Sequence, residues 1–200
     1  MKTKKIFSLL FAFAIGTSLW AQEFDKNLAT AKTAYSSGKL QDARFAMEQM
    51  LRDLDIQIGK EILKLLPGQM GSLTAAPKED NVNGAGGVGL FVHRSYGAQP
   101  KRADLEIINN SPLMTGLNAI LSTPVLGGMM RDENQKQIKV QGYKALLTKS
   151  MDSETGKTNY ELQIPMNNTL VTLKVNDTNE GEITNWGNTI PLAKIQQMAQ

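Results

Sequence analysis

The sequence predicts an α+β protein in which a helical hairpin precedes an antiparallel sheet that is flanked by helices. Residues 22–66 carry apolar side chains at spacings of three and four, the period of an amphipathic helix. Residues 88–200 carry runs in which apolar and polar side chains alternate, the period of a half-buried strand. Helical segments lie between these runs without a regular strand–helix–strand order, and this irregular order favours α+β over α/β.

Residues 1–21 have the features of a secretory signal peptide. Three lysines among the first five residues are followed by an apolar run over 6–15, which is shorter than the roughly 20 residues that cross a bilayer. We expect cleavage after Ala21 and export of a mature chain without a transmembrane segment, to the periplasm or outside the cell. The alternative is an uncleaved anchor.

The composition excludes several classes of protein. The chain has no cysteine, so disulfide bonds and a lipoprotein anchor are both excluded. Its 22 basic and 19 acidic residues give a formal charge of +3, but removal of the leader with its three lysines leaves 19 residues of each sign. A mature chain of zero net charge gives no electrostatic argument for binding to nucleic acid, and we predict none.

Residues 22–66 form the predicted hairpin. The first helix ends at Ser36-Ser37-Gly38, where the glycine suits the left-handed position that follows a helix. The second helix begins at Leu40, keeps one apolar stripe for about seven turns, and ends before Pro67. A link this short between two helices implies an antiparallel pair.

The second predicted helix is far longer than the first, so its distal part has no partner within the hairpin. Apolar side chains left in water forgo burial free energy. We therefore predict that this part binds a protein partner or a second copy of the chain. The candidate interaction surface consists of Leu54, Ile58, Ile62, Leu65 and Leu66.

The stretch 34–43 resembles the middle of a tetratricopeptide repeat. The resemblance depends on Gly38, Leu40, Ala43, Met47 and Met50. The Trp-Leu-Gly start of the repeat and a second copy are both missing, and such repeats need neighbours to bury their faces. The resemblance implies a peptide-binding repeat; we favour the alternative, a hairpin that packs on its own chain or on a partner.

A linker and a second domain are predicted to follow the hairpin. Residues 67–87 are rich in glycine, alanine, proline, asparagine and aspartate, a composition typical of a flexible linker. We expect residues 88–200 to fold independently as the α+β domain. The predicted strands are 88–96, 102–109, 137–149 with a kink at Gly142, 159–166 and 169–175; the predicted helices begin after Ser111 and, in the last part of 180–199, at the C-terminus.

Three stretches resemble parts of known sites but lack the required context. Residues 84–89 resemble a dinucleotide-binding glycine motif, but a strand rather than a helix is predicted to follow them. Residues 156–158 resemble the end of a phosphate-binding loop that lacks its first glycine. The loop that begins at Asp177 has Glu182 where a calcium loop has glycine. We therefore predict no cofactor and no metal ligand.

The sequence gives no firm assignment of a catalytic residue. His93 is the only histidine, and one histidine without cysteine argues against a zinc site. A Ser–His–acid triad is compatible with the composition, but the Gly-x-Ser-x-Gly nucleophile motif is absent. Asp104 and Glu106 alternate with apolar residues, which indicates a solvated strand face. We predict no catalytic residue.

Three stretches of the second half resemble a group of secreted bacterial proteins that have no settled activity. They are 107–121, which contains Ser111-Pro112-Leu113; 140–147, which contains Gly142-Tyr143-Lys144-Ala145; and 168–173. Asn110 stands where aspartate is common in the group. The resemblance implies an antiparallel sheet flanked by helices, similar to that of the photosystem oxygen-evolving PsbP family.

The expected function is that of a secreted or periplasmic binding module, a non-catalytic interaction protein of the cell envelope. The alternative is a periplasmic hydrolase with its site in the α+β domain. A concave pocket that holds titratable groups with shifted pKa values would favour the hydrolase. An exposed apolar surface on the hairpin would favour the binding module.

Overall fold

The structure, a computed structural model, describes residues 16–84, 89–122 and 134–199. Within these residues, two N-terminal helices precede a seven-stranded antiparallel sheet that is flanked by helices, which confirms the predicted α+β class. The chain divides into two compact units, Met1–Leu54 and Asp55–Gln200. In the described part of the chain, no helix combines the length and the hydropathy that a membrane span requires.

The first unit is the helical hairpin that the sequence predicts. It contains helix α1 (Gly16–Ser36) and the first part of helix α2 (Leu40–Leu65). Gly38 links them with a φ of 71°, and the Lys39 amide donates to the Ala34 carbonyl at 2.9 Å. This turn satisfies a carbonyl at the end of α1 that has no partner within the helix.

The second unit is built on one large sheet. Its elements are β1 (Gln69–Met70), β2 (Leu73–Thr74), a 3-10 turn (Pro77–Glu79), β3 (Asn81–Gly84), β4 (Leu90–Ala98), β5 (Lys101–Asn109), α3 (Leu113–Ser122), β6 (Gln135–Val140), β7 (Tyr143–Met151), β8 (Thr158–Met166), β9 (Thr169–Val175), α4 (Glu180–Gly187) and α5 (Leu192–Met198). The sheet order is β3-β4-β5-β9-β8-β7-β6, and every pairing is antiparallel. The chain therefore leaves the middle of the sheet after β5, reaches the far edge at β6, and returns by short turns.

The two faces of the sheet differ in polarity, as the alternating sequence predicts. Leu105 and Ile107 point into the main core, where the last turns of α2 and the helices α4 and α5 pack. On the opposite face, α3 packs against one end of the sheet in a small apolar cluster. That cluster contains Met114, Leu117, Leu121, Leu146 and Leu170. The rest of this second face is lined by polar side chains, including Asp104 and Glu106.

The prediction of one strand over 137–149 is wrong. The chain turns at Gln141 and Gly142, whose φ values are 49° and 87°, and pairs β6 with β7. Two consecutive residues with positive φ match the tight two-residue turn that best suits the twist of a hairpin. Gln141 is not a residue that is typical of this turn, and for that reason the sequence pattern indicated one continuous strand.

The structure also differs from the predicted flexible linker over 67–87. Residues 69–84 form β1, β2, the 3-10 turn and β3, while 85–87 lie outside the described residues. Met70 and Leu73 are buried in the main core, and the turn between them places Gly71 against the indole ring of Trp186. A Cβ at Gly71 would lie 2.6 Å from the indole Nε1. This segment is therefore closely packed, although its composition is polar.

The last turns of α2 belong to the second unit and lie directly on its sheet. Ile62 and Leu66 are buried in the main core. Gly59 makes the close approach possible, because a Cβ there would clash with Val82 and would lie 2.9 Å from Leu90 Cδ1. The main core therefore includes residues before position 88, and the predicted independence of residues 88–200 does not agree with this packing.

Arg94 joins the end of α2 to the sheet. From β4, its Nε and Nη2 donate to the two carboxylate oxygens of Asp80 at 2.9 and 2.6 Å, and its Nη1 donates to the Leu63 carbonyl at 2.9 Å. Both charged side chains are largely buried, at 11% and 14% exposure. Because a carbonyl in the last turn of a helix has no partner within the helix, Arg94 acts as a cap.

Replacement of Gly59 by alanine tests the close contact between α2 and the sheet. Alanine favours an exposed helix by about 1 kcal/mol relative to glycine, whereas overpacking costs about 1–3 kcal/mol. We expect Gly59→Ala to lower the free energy of unfolding by up to about 2 kcal/mol, as measured by chemical denaturation. Gly116→Ala is the matched control on α3, where a Cβ meets nothing within 4 Å; it should raise stability. A Gly59→Ala chain as stable as Gly116→Ala would contradict the packing.

Candidate functional site

The five residues of the predicted interaction surface do not form one exposed surface. Ile62 and Leu66 are buried in the main core at 0% and 5% exposure, and Ile58 packs against that core. Leu65 is half-buried, and Leu54, in the first unit, is 50% exposed. The predicted surface is therefore wrong for Ile62 and Leu66, because the sheet of the second unit covers these last turns of α2.

Alanines fill the seam between α1 and α2 in the first unit. The buried apolar residues of the hairpin are Ala31, Ala34, Ala43 and Ala46. Small side chains let two helices approach closely, but they bury little apolar area. The large apolar side chains of this unit must therefore lie elsewhere.

Large apolar side chains are exposed on one face of the hairpin, which we name the hairpin apolar face. Its residues, all 49–66% exposed, are Leu28, Tyr35, Leu40, Met47, Leu51 and Leu54. On each helix they recur at intervals of three, four or seven and lie about a quarter turn round the helix from the alanines. In an antiparallel pair, these quarter turns bring both sets to the same side. The result is a continuous apolar face of two helices.

The opposite side of the hairpin is mostly polar. A shallow groove there is lined by Lys26, Ala29, Thr30, Thr33, Ala34, Ser37, Lys39, Asp42 and Phe45. Phe45 is 63% exposed and is a large apolar residue that lies away from the hairpin apolar face. The two sides of the hairpin thus differ in chemistry, and Phe45 supplies an internal comparison for experiments on the apolar side.

The second unit contains one cluster that includes the residue types of a hydrolytic triad. On the polar face of the sheet, Ser95 Oγ donates to Asp104 Oδ1 at 2.7 Å, and His93 Nε2 lies 3.2 Å from the same oxygen. Arg102 donates to Asp104 through Nε at 3.0 Å and to Ser95 Oγ through Nη2 at 2.6 Å. A salt bridge of 2.9 Å joins Arg102 to Glu79.

The order of contacts in this cluster does not suit nucleophilic catalysis. In a hydrolytic triad the histidine lies between the serine and the acid, so that it can accept the serine proton. Here Asp104 lies between Ser95 and His93, and no hydrogen bond joins those two among the described side chains. Ser95 is also fully buried, so substrate has no access to its hydroxyl.

The electrostatics of the cluster indicate a stabilising network. Burial alone would raise the pKa of Asp104, but hydrogen bonds from Arg102 and Ser95, the charge of Arg102 and the contact with His93 outweigh burial and lower it. Asp104 therefore stays ionised and accepts several hydrogen bonds at once. A carboxylate with its lone pairs occupied in this way is a poor candidate for a general base.

Two further polar groups serve packing rather than chemistry. Burial raises the pKa of Tyr96 to about 12, with nearby Arg94 acting in the opposite direction. Its hydroxyl has no hydrogen-bond partner among the described residues and stays protonated near neutral pH. Lys101 donates to both carboxylate oxygens of Glu182 at 2.7 and 2.9 Å and lies 5.7 Å from the centre of the Trp186 ring. This contact holds α4 against the β4–β5 turn.

No metal-binding group emerges from the described residues, where no three histidine, cysteine, aspartate or glutamate side chains are suitably grouped. The sequence predicts His93 and Asp104 on two separate strands, and the pairing of β4 with β5 brings them together. The sequence did not indicate that Ser95 and Arg102 form hydrogen bonds in this cluster. The alanines at spacings of three on both helices are the signal that could have located the hairpin apolar face.

Comparisons with protein families, with curated protein sequences and with solved structures find no match to this chain. The resemblance to a group of secreted bacterial proteins and to the PsbP family therefore stays a prediction. The hairpin apolar face and the Asp104 cluster are the two features of the described residues whose geometry bears on function.

Asp104→Asn tests whether the cluster stabilises the fold. The pKa of Asp104 is lower in the folded chain than its ordinary value of 3.8, so its contribution is present above about pH 4 and decreases as the pH falls further. We expect the variant to lose about 1–3 kcal/mol of unfolding free energy at pH 7, and the difference from wild type to shrink at acidic pH. Denaturation at several pH values measures both effects.

Glu154→Gln, which also removes one negative charge but at an exposed loop position, is the control for the Asp104 variant. It should change stability by less than about 0.5 kcal/mol. A difference between Asp104→Asn and wild type that grows towards acidic pH would contradict the lowered pKa.

Proposed function

We propose that this chain is an exported, non-catalytic binding module of the cell envelope that recognises a protein through the hairpin apolar face. The observation that carries the proposal is the inverted packing of the hairpin, with alanines in its seam and large apolar side chains outside. Exposed contiguous apolar surface of this kind is typical of protein interaction sites.

The energetics of the face support a partner. Full burial of one large apolar side chain contributes about 1.5–3 kcal/mol. The six residues of the face are about half exposed, so covering them supplies a gross gain of about 5–9 kcal/mol. This gain is of the same order as the cost of association, which is about 4–15 kcal/mol. A partner must therefore add contacts of its own at the rim.

The Asp104 cluster gives the hydrolase alternative no comparable support. Its serine is buried, its histidine does not reach that serine, and its carboxylate is held by Arg102. The proposed export depends on the leader at 1–21. Residues 1–15 lie outside the described residues, and α1 begins at Gly16.

Site-specific photo-crosslinking in the cells that express the chain tests the proposed binding. A photoreactive benzoyl-phenylalanine at Leu51 lies in the hairpin apolar face, and the same group at Phe45 lies on the opposite side of the same helix. We expect ultraviolet light to give a discrete adduct from position 51 and none from position 45, as seen on denaturing gels. Equal adducts from both positions, or none from 51, would contradict the proposal.

Mass spectrometry of the chain recovered from those cells tests the proposed export. A signal peptidase that cuts after Ala21 leaves a chain that begins at Gln22. We expect this species in the periplasmic or extracellular fraction. A cytoplasmic species that retains residue Met1 or Lys2 would rule out export through this leader.

A further inference from the structure

We infer that the occupant of the hairpin apolar face is a second copy of this chain. The two hairpins would pack face to face about a two-fold axis and form an antiparallel four-helix bundle. The inference deepens the proposed function, on which it rests, by naming the partner.

The dimensions of the face suit another helical hairpin. From Leu40 to Leu54, α2 extends for about 22 Å at 1.5 Å per residue, and two packed helices are about 20 Å wide. Two-fold packing of two such faces gives a flat contact area of about 440 Å² on each chain. This product of length and width does not count the uneven surface of the side chains. This area is below the roughly 600 Å² per partner at the low end of specific interfaces, so we expect weak association that depends on concentration.

The charges around the face favour a neutral partner of the same kind. Residues 22–54 contain five basic and five acidic side chains, so two copies do not repel each other through net charge. At the margin on α2, Arg44 and Glu48 already form a salt bridge of 2.9 Å. On α1, Asp25 and Lys32 give the margin both signs. A strongly charged partner would find no opposite field here.

Symmetry gives a second copy an advantage over an unrelated apolar partner. In a two-fold interface the same patch is covered on both chains, so a single contact buries the hairpin apolar face of both copies. The alanine seam keeps each pair of helices close, which leaves a broad and even face for the other pair. Helix pairs of this kind pack at a small angle, with their apolar residues interleaved.

Sedimentation equilibrium of the full chain over a concentration series tests the inference. We expect the wild-type mass to rise from one chain to two. Leu51→Glu places a charge in the middle of the face and should lower the association constant at least tenfold. Phe45→Glu places the same charge on the opposite side and should leave the constant unchanged. Both positions are exposed, and circular dichroism checks that both variants keep the fold.

The photo-crosslink at position 51 separates the failure of this inference from the failure of the proposed function. An adduct with twice the mass of the chain supports the dimer. An adduct with another protein, together with a monomeric wild type, overturns the dimer and leaves the binding module standing. No adduct and a monomeric wild type overturn both. Two further outcomes would also overturn the dimer. One is a wild-type chain that forms polymers larger than two chains. The other is flotation with phospholipid vesicles of both the wild-type chain and the Phe45→Glu variant.

Discussion

The buried contact between Arg94, Asp80 and the Leu63 carbonyl is the interaction on which the second unit depends. It joins three segments that are distant in the sequence: the end of α2, the loop after the 3-10 turn, and the strand β4. Removal of one partner would leave a buried charge without compensation, at a cost of about 3–5 kcal/mol. The same contact fixes where the last turns of α2 meet the sheet, and therefore which of their sides is buried.

Local periodicity predicted much of the fold but not its long-range contacts. The hairpin, β5, β8, β9 and α3 follow from spacing, alternation and capping, which are local properties of the chain. The β1–β3 region could not be recognised, because Met70 and Leu73 are two buried residues within a polar composition. The sequence also could not show that Gly59 allows α2 to approach the sheet closely, since a glycine within a helix does not indicate which strand lies next to it.

The candidate site shows the same limit. Apolar spacing showed that α2 is amphipathic, but it could not show which part of the stripe the sheet covers. The sheet buries Ile62 and Leu66, whereas Leu51 and Leu54 lie in the hairpin and remain exposed. On the sheet, alternation placed Asp104 and Glu106 together on one polar strand face. It could not reveal that Arg102 would hold the carboxylate and that Ser95 would be buried.

The crossing from β5 to the far edge of the sheet has a consequence for the order in which the chain folds. Asn109 at the end of β5 meets Thr169, 60 residues later, at the start of β9. Closing so large a loop is entropically unfavourable until many contacts form together, and pairings of this kind slow folding. Two smaller groups of strands, β3–β5 and β6–β9, can form from local turns. The sheet that unites them exists only after β9 has been synthesised. A ribosome-bound chain that lacks about its last 30 residues therefore cannot close the centre of its core.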